Sequence, residues 1–309
     1  MTDRETTDLD TLEALAHDIR RRVLELTVNR GGCYLSQAAS SADILAALYG
    51  SILQLAPLPE ALDAPPFEGV PAATGAVSPS GGRFHGDQGP DLDRFLISPA
   101  HYAVAIYAAL EAVGRLASGA LATFDQDGST LEMIGAEHSP GFELTTGSFG
   151  QALSQAGGIA LARKLRGETG RTVVFMSDGE LQEGQTWEGV QAAAFYELAN
   201  LHVYVDVNGQ QVDGLTKDVM NIEPIDARLA AFGAEVARID GHDLAALATA
   251  AADRQHDDRP LVVLADTDPA AGIPLLEERK PHLHYVRLRD ESETERFRAF
   301  LETMEREAV

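Results

Sequence analysis

Two polar residues 30 positions apart are the first candidates for chemistry: Asp178, in SDGELQEG, and Asn208, in VDVNGQQVDG. Each follows an apolar run that predicts a buried strand. A strand–helix–strand unit takes about 30 residues, so both side chains are expected at the carboxyl ends of neighbouring parallel strands. A carboxylate and an amide oxygen suit magnesium holding a diphosphate, and Gly179 would let phosphates approach the backbone. Ordinary Asp-Gly and Asn-Gly turns remain the alternative.

Along the chain, segments with the hydrophobic pattern of buried strands alternate with segments that have the pattern of helices, and these elements must position the candidate residues. Buried-type strands are predicted at 94–98, 172–176, 201–205, 234–239 and 261–265. Helices are predicted at 12–26, 40–53, 103–114, 150–166, 186–198, 226–232, 243–254 and 290–308, the last on the surface. This order predicts an α/β fold in which helices flank a parallel sheet.

The whole chain, residues 1–309, is predicted to form a single domain. A Pro- and Gly-rich stretch at about 56–93 is predicted to be a long surface excursion without secondary structure of its own.

Composition limits the setting in which the protein works. The net charge of −24 disfavours nucleic acid as a partner, and only three of the 24 basic residues are lysines. No apolar run approaches the roughly 20 residues that span a bilayer, and the N-terminus is polar and acidic, so no membrane partner and a cytoplasmic location are predicted. The single cysteine, Cys33, excludes an internal disulfide and a cysteine-based zinc cluster.

Several segments together resemble the transketolase family. The stretch from Ser177 to Gly214, SDGELQEGQTWEGVQAAAFYELANLHVYVDVNGQQVDG, resembles the thiamine-diphosphate signature, with Ser177 in place of the usual first glycine. The segments SSADILAALY, RFLISPAHYAVAIYAALEAVG, PGFELTTGSFGQALSQAGGIALA and FGAEVARIDGHDLAAL are similar to transketolase segments in family order. The resemblance covers about residues 10–290 and implies the diphosphate-binding domain of the thiamine-diphosphate fold.

The resemblance also implies a ligand set. Asp178 and Asn208 would bind magnesium, or calcium or manganese in its place, with the backbone carbonyl of Gln210 as a third ligand. Residues implied to lie against thiamine diphosphate are His101, Gly147, Ser148, Phe149, Gln151, Gly179, Glu180 and Asn208. Glu183 matches an acidic residue of a carboxylate network between cofactor sites. A surface helix position is the alternative for Glu183, and capping of the next helix is the alternative for His101.

The chain departs from the family at several histidines. Transketolases carry G-H-x-G-G before the S-A-D-I-L helix, and Tyr34 stands near the missing histidine with Gln37 beside it, so proton transfer there must differ. The catalytic candidates implied by the resemblance are His101, Tyr34, His138, His282 and His284. The His138 loop is shorter than its family counterpart, and His282 or His284 could replace a late active-site histidine or lie on the surface. Near residue 270, DTDPAAGIP lacks the family's cations.

Length suggests how the enzyme is assembled. A complete transketolase adds a pyrimidine-binding domain with the cofactor-activating glutamate, and a C-terminal domain, which this chain is not expected to contain. The resemblance therefore implies the N-terminal subunit of a split transketolase, a heterotetramer with a separately encoded C-terminal subunit, which transfers a two-carbon ketol unit from a ketose or ketose phosphate to an aldose. The alternatives are an α-type subunit of a 2-oxo acid dehydrogenase or decarboxylase, and a non-catalytic paralogue.

Overall fold

A five-stranded parallel sheet lies at the centre of the computed structural model, which describes residues 8–69 and 79–307. The strands in these ranges are β1 (Gly32–Cys33), β2 (Arg94–Ile97), β3 (Thr172–Ser177), β4 (Leu201–Val207), β5 (Gln210–Gln211), β6 (Gly214–Leu215), β7 (Glu235–Asp240), β8 (Leu261–Asp266) and β9 (Val286–Arg287). The central sheet has the order β2-β3-β4-β8-β7, and every neighbouring pair in it is parallel. The predicted α/β class is confirmed.

Helices cover both faces of this sheet. They are α1 (Leu9–Arg30), α2 (Leu35–Ala47), α3 (Ala103–Ala112), α4 (Gln151–Arg166), α5 (Gly184–Phe195), α6 (Thr216–Val219), α7 (Ile225–Ala231), α8 (Leu244–Thr249) and α9 (Glu291–Glu307). Successive side chains of a strand point to opposite faces, and the two hydrophobic cores follow this alternation. One core joins α1, α2, α3 and α8 to residues such as Phe175, and the other joins α4, α5 and α7 to residues such as Val174.

Strand register brings the two candidate residues together. Ser177, the last residue of β3, pairs with Asp206 in the parallel neighbour β4. Asp178 and Asn208 therefore leave the sheet at the same edge, as the 30-residue spacing predicts. A short hairpin follows Asn208, in which the two-residue strands β5 and β6 pair with each other. Gly209 has a φ of 66°, a conformation that favours glycine and lets the chain turn into this hairpin.

The Pro/Gly-rich excursion at 56–93 is more structured than the sequence predicts. Residues Gly81–His85 form a 3₁₀ turn in which Phe84 and His85 are buried. A Cβ on Gly81 would lie 1.7 Å from the carbonyl oxygen of Ser139, so this close packing requires glycine. Prediction from composition misses such a turn because its contacts are made with distant residues. Residues 70–78 lie outside the described part of the chain.

Two contacts join the N-terminal part of the chain to its C-terminal part. Strand β1 pairs antiparallel with β9, with Cys33 opposite Val286, which brings the start of α2 beside the segment that contains the late histidines. Helix α9 packs on α1 and buries Phe297, Leu301 and Met304, so one face of this predicted surface helix belongs to the core.

Among the residues described, no helix combines the length and apolar character needed to cross a membrane.

Candidate functional site

A cavity of about 440 Å³ opens at the carboxyl ends of β3 and β4. Four of the predicted metal and diphosphate residues line it together: Asp178, Gly179, Asn208 and Gln210. Asp178 and Gly179 follow β3 directly, and Asn208 and Gln210 belong to the turn between β4 and the hairpin. The cavity therefore occupies the position at which parallel α/β sheets bind ligands.

Asp178 is a buried carboxylate that forms no salt bridge with a described residue, although Lys217 and Lys280 line a neighbouring cavity that it also borders. Its Oδ2 accepts hydrogen bonds from the backbone N–H of Gly209, at 3.0 Å, and from Oγ1 of Thr216, at 3.2 Å. Burial, and then the nearby carboxylate of Asp206, raise the pKa of Asp178 to about 7. A divalent cation beside Asp178 would compensate the charge that burial penalises.

Asp206 orients Asn208 and was not identified from the sequence. Asp206 is fully buried in β4, and its Oδ2 accepts hydrogen bonds from Ser40 at 2.6 Å, Tyr102 at 2.8 Å and Nδ2 of Asn208 at 3.0 Å. Because an ionised carboxylate only accepts, the amide nitrogen of Asn208 must face it. The amide oxygen of Asn208 then accepts from the backbone N–H of Gln210 at 2.9 Å and is the atom left for a metal ion.

The cavity is open where a diphosphate would lie. A Cβ on Gly179 would have its nearest neighbours 3.9 and 4.0 Å away, on Gln211 and Phe149, so a side chain there would extend into free space. Gly147 and Phe149 line the same cavity, on the segment that precedes α4. The exposed Glu183 also lines it. These residues surround the space next to Asp178.

An aromatic cluster forms another wall. His101 and His284 both line the cavity, with ring centroids 5.1 Å apart. Tyr34 lies edge-on to both imidazoles at 5.5 Å, and Phe149 lies 5.8 Å from His101. Burial, and then the neighbouring His284, lower the pKa of His101 to about 3, and burial also lowers the pKa of His284. Both imidazoles are therefore neutral near pH 7.

Glu180 takes a different position from the one that the resemblance implies. Its carboxylate is fully buried, does not line the cavity, and accepts hydrogen bonds from the Ser98 hydroxyl and, at 3.2 Å, from the backbone N–H of Ser177. Burial raises the pKa of Glu180 to about 7 against these hydrogen bonds. Ser148 and Gln151 are exposed and also lie outside the lining. Glu180 braces the loops around the cavity without facing it.

Two of the candidate histidines are not brought to this cavity. His138 is buried in its own loop, where Nε2 lies 2.9 Å from Oε2 of Glu132 and the ring packs 4.9 Å from that of Phe67. His282 is exposed and does not line the cavity, although His284, two residues later, does. Leu283, which lies between them, is fully buried, and the chain at 282–285 is irregular and not a strand.

The donor set fits a divalent cation holding a diphosphate. Within the described residues, no lysine or arginine lines the cavity, whereas Asp178, Glu183 and Asp213 do. A diphosphate beside these carboxylates needs a positive ion between them. No cluster of three or more His, Cys, Asp or Glu suited to a metal occurs in residues 8–69 and 79–307. The predicted site at Asp178 would be of another kind, because it would combine one carboxylate with an amide oxygen and a backbone carbonyl.

Comparisons with known proteins identify relatives of this chain. The family model described as "Transketolase, thiamine diphosphate binding domain" matches residues 85–301. An uncharacterized transketolase family protein (y4mO) of Sinorhizobium fredii is 38% identical over 93% of this chain and 94% of its own length. An apulose-4-phosphate transketolase subunit of Actinobacillus succinogenes is 32% identical over 92% of this chain and 94% of its own.

Solved structures show the same fold at low sequence identity. The Campylobacter jejuni transketolase superposes with a TM-score of 0.67 at 20% identity, covering 97% of this chain and 48% of its own. A Pichia stipitis transketolase variant gives a TM-score of 0.69 over 97% of this chain and 45% of its own. The chain therefore spans about half the length of these transketolases. Both the family model and the relatives confirm the predicted resemblance: this chain belongs to the transketolase family and contains its N-terminal, thiamine diphosphate binding domain.

Proposed function

We propose that this chain is the N-terminal subunit of a two-component transketolase, which transfers a two-carbon ketol unit from a ketose or ketose phosphate to an aldose. The observation that carries the proposal is the cavity in which Asp178, Gly179, Asn208 and Gln210 meet. The relative named as one subunit of an apulose-4-phosphate transketolase supports the two-component arrangement, because it and this chain cover more than nine-tenths of each other. A cytoplasmic location is part of the proposal and rests on charge and composition.

The cofactor in this proposal is thiamine diphosphate with magnesium. Asp178, Asn208 and the backbone carbonyl of Gln210 would hold the metal, and Gly179 would face the diphosphate. When bound, the cofactor supplies an electron sink for the two-carbon unit. Phe149 and Gly147 would bound the space for its rings, and the neutral His101 and His284 would offer hydrogen bonds without adding charge.

The rim of the cavity supports a partner subunit. Three apolar residues that line the cavity are strongly exposed: Ile134 at 46%, Val212 at 68% and Val219 at 45%. Exposed apolar groups around a binding site are typical of surfaces that a partner covers. In the proposal the partner brings the pyrimidine-binding domain and the glutamate that activates the cofactor. Leu165 and Phe195, exposed at 78% and 77% on or beside α4 and α5, support further association into a heterotetramer.

The test compares the chain with and without a C-terminal transketolase subunit encoded beside it. Calorimetry with thiamine diphosphate and MgCl₂ should show weak binding to the chain alone and tight binding to the mixture. Linkage requires the cofactor to strengthen association of the subunits by the same factor, which size-exclusion chromatography measures. Ketol transfer from a panel of ketose phosphates to aldoses should appear only in the mixture.

Three other results would contradict the proposal. Full ketol transfer by the chain alone would show that the glutamate and the pyrimidine site lie within these residues. Oxidative decarboxylation of 2-oxo acids by the mixture would favour the α-type dehydrogenase subunit instead. No cofactor binding by the mixture would favour the non-catalytic paralogue. The transketolase names of the Sinorhizobium and Actinobacillus relatives favour a transketolase over both alternatives.

A further inference from the structure

Gln37 contacts His284 through its side-chain amide. Gln37 lies in the first turn of α2, is only 5% exposed, and lines the cavity beside His284. Its Nε2 donates to the backbone carbonyl of His284 at 3.0 Å and lies 3.4 Å from the ring nitrogen Nδ1 of the same residue. The pairing of β1 with β9 brings these two residues together across 247 positions of sequence.

These contacts favour one position for the proton on the ring of His284. A backbone carbonyl only accepts, so the Gln37 atom that faces it must be the amide nitrogen and not the oxygen. The Ser36 hydroxyl lies 3.1 Å from the amide oxygen and donates its one proton to the Leu283 carbonyl at 2.7 Å, so the orientation of the amide rests on the His284 carbonyl. An amide NH₂ group only donates, so its contact with Nδ1 at 3.4 Å favours an unprotonated Nδ1. In a neutral imidazole the proton then sits on Nε2.

The surroundings of His284 keep it neutral. Its titratable neighbours are His101, with ring centroids 5.1 Å apart, and Tyr34, at 5.5 Å; Tyr285, which packs on Tyr34, is the next residue in the chain. Burial lowers the pKa of His101 to about 3 and raises the pKa of Tyr34, so neither is charged near pH 7. No carboxylate among the described residues hydrogen-bonds to the His284 ring, so nothing there favours the imidazolium form.

We propose that Gln37 is a positioning residue that holds His284 as the neutral Nε2–H tautomer. In this form His284 donates a hydrogen bond from Nε2 to an oxygen of the ligand in the cavity, either the cofactor's diphosphate or the ketose. The identity of that ligand rests on the proposed function, whereas the tautomer rests on the geometry alone. Tyr34 packs against the same ring, so the two residues at the departure from the family pattern act on one histidine.

The tautomer is tested on the full chain without partner, cofactor or substrate. Long-range ¹⁵N–¹H correlation spectra of histidine-labelled protein distinguish protonated from unprotonated ring nitrogens, and His284→Gln identifies the His284 signals. We expect a protonated Nε2 in the wild type. Gln37→Glu should reverse the assignment, because a carboxylate accepts from Nδ1–H, and should raise the His284 pKa. An Nδ1–H form in the wild type would overturn the proposal, whatever the enzymatic activity proves to be.

Two further variants test whether the amide of Gln37 is responsible for the tautomer. Gln37→Met removes the amide but keeps the length of the side chain, and should give a mixture of both His284 tautomers. Gln126→Met is the matched control, because Gln126 is exposed and its side-chain amide donates to the Ala122 carbonyl at 2.8 Å. It should leave the His284 signals unchanged. A single Nε2–H form that persists in both Gln37→Glu and Gln37→Met would show that Gln37 does not position the ring.

Activity of the assembled enzyme provides the second readout. Gln37→Glu should lower kcat/KM about tenfold, because the loss of one hydrogen bond to a charged group typically has an effect of this size. In the His284→Gln background the introduced amide nitrogen can stand in the place of imidazole Nε2 and needs no tautomer control. There Gln37→Glu should have little further effect, and an undiminished tenfold loss would contradict the coupling. Titration with thiamine diphosphate alone separates the two oxygen sources, because a diphosphate contact changes Kd whereas a ketose contact changes only KM or kcat.

Discussion

The hydroxyl oxygen of Tyr102 lies 2.8 Å from Oδ2 of Asp206, to which it donates, and 2.9 Å from Nδ2 of Asn208, from which it accepts. One hydroxyl group therefore links a fully buried carboxylate to the amide that faces the cavity. Since Asn208 also donates to Asp206 directly, the three side chains form a closed ring of hydrogen bonds. The orientation of the Asn208 carbonyl is thus set before any metal binds.

Removing that hydroxyl should weaken cofactor binding without unfolding the protein. In Tyr102→Phe, Asn208 loses one of its fixed partners, so we expect the Kd for thiamine diphosphate with magnesium to rise about tenfold in the assembled enzyme. Tyr107→Phe is the control, because Tyr107 is equally buried but donates to the Glu132 carbonyl at 3.1 Å. Equal effects of both substitutions in calorimetry would argue against the ring of hydrogen bonds.

Asp178→Ala should abolish magnesium-dependent binding of thiamine diphosphate. The substitution removes the only carboxylate in the predicted ligand set and leaves the phosphate charge uncompensated. Isothermal titration of the assembled enzyme at fixed magnesium measures the effect. Asp218→Ala, on the exposed surface of α6, removes the same charge away from the cavity and should bind normally. Unchanged cofactor affinity in Asp178→Ala would rule out the metal assignment.

His202 should make the fold sensitive to mild acid. Burial, and then the charges of Arg171 and Arg254, lower the pKa of His202 to about 3 from its ordinary value of 6.5. Between these values the unfolded chain binds a proton that the folded chain does not, so stability is lost as the pH falls.

We therefore expect His202→Gln to flatten the pH dependence of unfolding in urea. The wild type should lose up to about 1.4 kcal/mol more per pH unit below about 6.5 than the variant does. His256→Gln removes an exposed histidine and should reproduce the wild-type slope. If the slopes of wild type and His202→Gln coincide, His202 does not carry this effect.

Salt should stabilise the protein because its charge is so unbalanced. With a net charge of −24, repulsion between carboxylates opposes the compact state, and added ions screen it. The melting temperature should rise between about 0.1 and 2 M KCl, beyond the range in which Debye screening of a few pairs is complete. A flat melting temperature would show that the acidic surface is not an adaptation to salt.

The strands of the sheet could be predicted because each is a short apolar run that stands out in the local sequence. The run Val173–Met176 is apolar and is followed by the turn at Asp178 and Gly179, so strand β3 ends within one residue of its predicted end. Parallel neighbours then bring Asp178 and Asn208 to one edge. Helix ends were less accurate: α8 ends at Thr249 and not at residue 254, because no residue in this Ala-rich stretch specifies a stop.

The position of His284 at the cavity could not be predicted, because it depends on contacts between residues that are far apart in the sequence. The β1–β9 pairing involves only two residues of each strand, too few for any hydrophobic period, yet it brings Tyr34 and Gln37 to His284. The sequence does contain an indication of the role of Asp206. A carboxylate inside an otherwise apolar strand is costly to bury without partners, so its position two residues before Asn208 pointed to a supporting role.

The hairpin formed by β5 and β6 is tied to Asp178 at both of its ends, through the N–H of Gly209 and the hydroxyl of Thr216. The conformational entropy of this loop is therefore lost when the chain folds and does not have to be lost again when a ligand arrives. Binding at the cavity can therefore leave both hydrogen bonds in place and does not have to offset the ordering of this loop. Lengthening the hairpin beyond Val212 and Asp213 leaves both ties intact, whereas loosening either tie transfers the cost of ordering from folding to binding.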